Sequence, residues 1–104
     1  PFPPGRAARA VLLARLGRGD EAAVEIEAAR LLAPDPRVTY RAACVASLTA
    51  GDDPAKRAAA LDLLRRAFGD GFRDFATAEA DPDLAAVRAL PGFADCLTAA
   101  KAVR

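Results

Sequence analysis

The 104-residue sequence contains no histidine. Imidazole chemistry is thereby excluded, both as the base of a Ser-His-Asp or Cys-His nucleophile and as a metal ligand. Cysteine is scarce, with only Cys44 and Cys96, and neither belongs to a Cys-x-x-Cys pair. The spacing of a zinc site is therefore absent, and each cysteine reads as a small buried hydrophobe rather than half of a disulfide. Lysine occurs only at Lys56 and Lys101, and with acids interspersed among the arginines the net charge is +1. That pattern predicts a solvated surface laced with ion pairs and argues against a nucleic-acid partner. No apolar run approaches the ~18 residues of a transmembrane helix. No charged segment followed by an apolar core opens the chain, so a cytoplasmic protein without a membrane partner is expected. Strand alternation is missing as well. A hydrophobic fraction of 53%, mostly alanine, predicts an all-α chain of closely packed helices.

Proline, glycine and aspartate punctuate this helical material. Pro1 to Gly5 reads as a linker. A first helix is predicted from about Pro4 to Leu16, ended by Gly17, because glycine tolerates the left-handed conformation after a helix. Asp20 and Glu21 then place negative charge at the start of a second helix, where the backbone dipole favours it. Ala22, Ile26 and Ala29 form its inward face, and Ala33-Pro34 stops it. Asp35-Pro36 opens a third helix that runs to Ala50 and Gly51, and Asp53-Pro54 opens a fourth that reaches about Phe68. In this pair Ala43, Cys44, Ala60 and Ala67 are small enough for a close approach of the two axes, with Tyr40 and Leu64 filling what remains.

Past Gly69-Asp70-Gly71 the pattern changes. A short helix is predicted from Phe72 to about Ala78, another after Asp81-Pro82 with Leu84, Val87 and Leu90 inward, and a last one carrying Phe93, Leu97 and Ala100. Four of the five phenylalanines lie from Phe68 onward.

Gly17 and Gly51 stand 34 residues apart (51 − 17), as do Ala10 and Cys44 (44 − 10). A helix–turn–helix unit of about 34 residues is the period of tetratricopeptide arrays. The chain resembles that family from Leu13 to Ala67. A narrower likeness lies in Tyr40-Arg41-Ala42-Ala43-Cys44-Val45-Ala46, Leu61-Asp62-Leu63-Leu64-Arg65-Arg66-Ala67, Gly71-Phe72, Asp81-Pro82-Asp83-Leu84 and Leu90-Pro91-Gly92-Phe93. This succession is similar to the C-terminal repeats of many bacterial serine/threonine protein kinases, and it departs at Arg41, where such kinases often carry Asn. The resemblance implies an α-α superhelix with a linker at 1–5, two repeats at 6–71 and a helical cap at 72–104.

The resemblance also implies a binding function, with ligands on the concave side formed by the first helix of each repeat. Val11 and Arg15 on the first helix, and Arg41, Val45, Leu48 and Thr49 on the third, are the expected peptide-binding residues. Arg15 and Arg41 are suited to hold a carboxylate in bidentate fashion. None of the kinase's catalytic motifs is present. Asp52-Asp53 and the Asp81/Asp83 pair stand at helix starts, where capping accounts for them. No enzyme, cofactor or metal is expected. A protein- or peptide-binding module is the leading reading, a regulatory or scaffolding appendage of such a kinase. A structural segment that self-associates or stacks on neighbouring repeats is the alternative.

Overall fold

The computed structural model describes residues 3–32 and 34–103 and is all-α, with no strand among them. Four long helices come first: α1 (Pro3–Arg15), α2 (Gly19–Leu32), α3 (Pro36–Ala50) and α4 (Pro54–Gly69). Three shorter helices follow, α5 (Phe75–Ala80), α6 (Ala85–Arg88) and α7 (Gly92–Ala102), with a 3-10 turn at Pro82–Leu84 leading into α6. Successive long helices pair as antiparallel hairpins, α1 on α2 and α3 on α4, and α3 also packs on both helices of the first hairpin. The 3-10 turn and α6 lie on α3, while α7 closes over α4.

Local chemistry sets these boundaries. Asp35, Asp53 and Asp81 each stand before a proline, and their carboxylates accept from the amides of Arg37 (2.8 Å), Ala55 (2.9 Å) and Asp83 (3.0 Å). Proline at the first helical position has no amide to leave unsatisfied, so the aspartate satisfies the next donor. Helix α1 ends in a Schellman motif, with Arg18 N donating to Leu13 O and Gly17 N to Ala14 O while Gly17 adopts φ +78°. Helix α4 closes in the same way around Gly71 at φ +115°, and the following Phe72 packs back on Phe68.

Small residues hold the hairpins together. Ala10, Ala22, Ala29, Ala43, Ala60 and Ala67 are all fully buried, with Leu64 between them. The extra residues between the second glycine and Ala60 lengthen the start of α4, whose Ala55, Ala58 and Ala59 are exposed.

Three expectations need correction. Helix α1 already includes Pro3 to Gly5, because prolines are tolerated in a first turn, so these residues belong to no linker; Pro1 and Phe2 lie outside the described residues. The short fifth helix begins at Phe75, three residues later than the apolar pattern indicates. Asp74 caps it by accepting from the Thr77 amide, which leaves Phe72 in the preceding loop. The helix after Asp81-Pro82 is broken into a 3-10 turn and a single α turn, although Leu84 and Val87 are fully buried as expected. Ala33, placed at the end of the second helix, lies outside the described residues.

Candidate binding site

Helix α3 presents Tyr40 and Cys44, one turn apart, to the C-terminal part of the chain. The Tyr40 ring stacks on Phe72 with centroids 4.2 Å apart and planes 7° from parallel. Its hydroxyl donates to Asp81 Oδ2 at 2.8 Å, and the Cys44 thiol lies 3.8 Å from the same oxygen. The second Asp81 oxygen caps the 3-10 turn, while Arg88 donates to the Asp81 carbonyl at 2.6 Å. Two residues on, the buried Asp83 accepts both Nε (2.8 Å) and Nη2 (2.6 Å) of Arg15. The acidic turn 81–83 is thus clamped against α1 and α3 by one phenol and one guanidinium fork.

Burial, reinforced by the charges of Asp81 and Asp83, pushes the Cys44 thiol well above its ordinary range. The Tyr40 phenol is likewise pushed far up, mainly by burial and then by its acidic surroundings. The hydrogen bond that Arg15 donates to Asp83, together with that carboxylate's charge, raises the pKa of the Arg15 guanidinium. Cys44 is therefore a protonated packing residue rather than a nucleophile. Cys44, Asp81 and Asp83 bring ligand-type atoms within 4.8 Å of one another. Both Asp83 oxygens are already held by Arg15, and both Asp81 oxygens by Tyr40 and the Asp83 amide. A metal ion here would have to displace the thiol proton and share these oxygens with Arg15, Tyr40 and the Asp83 amide.

Above the clamp opens a pocket of about 270 Å³ walled by α1, α3 and the segment from Phe72 to Asp83. Three of the expected residues meet there. Val11 is buried in its wall, Arg15 reaches across to Asp83, and Arg41 stands exposed at its edge. Arg41 makes no ion pair among the described residues, and it also borders a smaller hollow with Ala7, Arg37 and Val38. The other three lie elsewhere. Val45 is buried in the core, so it offers no surface to a ligand, and Leu48 is half-buried against the core. Thr49 turns its hydroxyl back to Val45 O at 2.9 Å, beside Gly19 at the start of α2.

Sequence reasoning missed Arg37, which lies one turn before Arg41 and lines the same pocket while pairing with Asp35 at 2.8 Å. The i, i+4 spacing of two arginines after a helix cap was the signal available for it. A second hollow of about 280 Å³ between α4 and α7 is walled mainly by Phe68, Ala100 and Val103. Its two arginines are engaged, Arg65 by Asp62 and Arg73 by the Phe68 carbonyl.

Comparison with known protein families, curated proteins and solved structures finds no match for this chain. No helix among the described residues is long and apolar enough to cross a membrane.

Proposed function

We propose that the chain is a helical-repeat module of the tetratricopeptide kind that binds an acidic group of a protein or peptide partner at the Arg37–Arg41 face. The observation carrying this reading is the pocket between α1 and α3, lined by three arginines of which Arg41 has no carboxylate partner among the described residues. Arg15 and Asp83 supply an internal example of the chemistry, a guanidinium holding a carboxylate through two parallel bonds. A partner's terminal carboxylate, Asp or Glu would meet Arg41 in the same manner, with Tyr40 and Phe72 forming an aromatic floor. The motif succession from Tyr40 to Phe93 supports the context of a regulatory or scaffolding appendage to a bacterial serine/threonine kinase in the cytoplasm.

A panel of acidic peptides, each with a free or an amidated C-terminus, tests the site by fluorescence titration. Arg41→Glu is expected to weaken the tightest binder by roughly 1–3 kcal/mol, since it removes a charge-assisted bond and adds repulsion. Arg66→Glu, an exposed change on α4, is expected to leave binding unaltered. Equal behaviour of the two reversals would remove the pocket as the binding site. The structural alternative, repeats stacking on repeats, draws on a different surface, the apolar outside of the first hairpin.

A further inference from the structure

Among the described residues, five of the six large hydrophobic residues that stand exposed belong to the first hairpin and its turn: Leu12, Leu16, Val24, Leu31 and Leu32. Leu12 (54% exposed) on α1 and Leu16 (71%) in the turn just past its end follow Arg9 at i+3 and i+7. On α2, Val24 (70%) and Leu31 (84%) stand seven residues apart with Glu27 between them, on the side opposite the buried Ala22, Ile26 and Ala29. Each segment thus shows two large apolar side chains and one charge in the same spacing, and the two charges have opposite sign.

The internal repeat gives this exposure its meaning. The 34-residue shift carries Arg9, Leu12 and Leu16 onto Ala43, Ala46 and Ala50 of α3. Ala43 and Ala50 are buried and Ala46 is half-buried, in a helix that packs on both α1 and α2. A repeat position that is covered in α3 is therefore bare in α1, and it is bare with leucines where α3 has alanines. Apolar surface of this kind, rimmed by charge, marks an association face.

From this arrangement we infer that the α1–α2 outer surface is the interface of a homodimer in which α1 of one copy lies on α2 of the other. Charge complementarity selects a second copy as the occupant. Arg15 is held by Asp83, Glu21 by Arg18 and Glu27 by Arg30; of the charges without an ion pair among the described residues, α1 carries Arg6 and Arg9, and α2 carries Asp20 and Glu25. A helix that is both apolar and acidic suits α1, and α2 is such a helix. A head-to-tail stack is blocked because the 3-10 turn, α6 and α7 already cover the α3–α4 hairpin. Pairing of like faces about a two-fold axis is then the arrangement that closes. The surface lies apart from the Arg41 pocket, so this inference does not depend on the proposed peptide site.

Sedimentation equilibrium of the chain as it stands, over a range of concentrations, tests the inference. The expected result is a reversible dimer that weakens with salt. Leu12→Asp and Val24→Asp should each raise the dissociation constant about tenfold or more, with helical circular dichroism unchanged because both sites are exposed. Arg9→Glu and Glu25→Arg should each weaken the dimer, and their combination should recover it, Glu25 having no ion pair among the described residues. Arg41→Glu should leave the mass unaltered. A monomer at every concentration up to the millimolar range would overturn the inference and leave the face to a preceding hairpin. A dimer indifferent to Leu12 and Val24, or one the double reversal does not recover, would overturn it equally.

Discussion

Helix α3 buries nine of its fifteen residues, whereas α2, with fourteen, buries three. They lie in successive hairpins, and the difference follows from what packs against each. Helix α3 has the first hairpin on one side, α4 on another, and the acidic turn with α6 on a third. Helix α2 rests on α1 and α3 and turns Val24 and Leu31 outward. The contrast teaches that in stacked hairpins a residue's burial is decided by the next hairpin along.

The sharpest way to break this comparison is to hollow out the covered side and the bare side in parallel. Leu84→Ala removes a fully buried side chain from the turn on α3 and should cost about 2–5 kcal/mol. Leu12→Ala, more than half exposed on α1, should cost less than about 0.5 kcal/mol. Similar denaturation midpoints for the two would show that α3 is not the centre of the fold.

Overpacking sharpens the same contrast at a smaller scale. Ala67 is fully buried where α4 meets α3, and Ala67→Leu should destabilise by about 1–3 kcal/mol. Its neighbour Arg66 is exposed, so Arg66→Leu should leave a urea melt nearly unmoved.

Alkaline pH offers a gentler probe. Tyr40 and Cys44 both have folded-state pKa values above their ordinary ones, chiefly through burial. Their contribution is complete below the unfolded values and is lost as pH rises past them. Melting temperature should therefore fall from about pH 9 upward, where the unfolded thiol begins to ionise. Cys44→Ala should reduce that slope, and an unchanged slope would contradict the buried, protonated thiol.

Thiol labelling gives the smallest readout. Cys96 borders the α4–α7 hollow, and Arg65 opposes the burial that raises its pKa, whereas Asp81 and Asp83 add to the shift at Cys44. A thiol reagent should label Cys96 before Cys44 in the folded protein, and the reverse order would place the covered region elsewhere.

Much of the fold was legible because it is written locally. Asp-Pro at 35, 53 and 81 and the glycines at 17, 51 and 71 mark helix ends through bonds made within a few residues. The site was legible only in part. Arg15 and Arg41 were found through the resemblance, but the partner of Arg15 is Asp83, 68 residues away, and no spacing rule announces such a pair. Asp81 was read as a cap, and it is one; its second role as acceptor for Tyr40 depends on Phe72 lying in a loop, which Asp74 decides. Val45 shares the exposed-looking stripe of α3 with Arg41, and only the assembled neighbours reveal it as core.

The Arg15–Asp83 fork has one further consequence, for cooperativity. In a stack where each hairpin touches only its neighbours, stability adds along one dimension and the ends fray independently. Here the first helix is tied directly to the last quarter of the chain, and Tyr40 is tied to the same turn through Asp81. Loosening α1 strands the buried Asp83 carboxylate in the 3-10 turn, and loosening the turn strands the phenol on α3. Neither end can melt without the other. The molecule should then unfold in a single transition, the behaviour of a closed domain rather than of an open array.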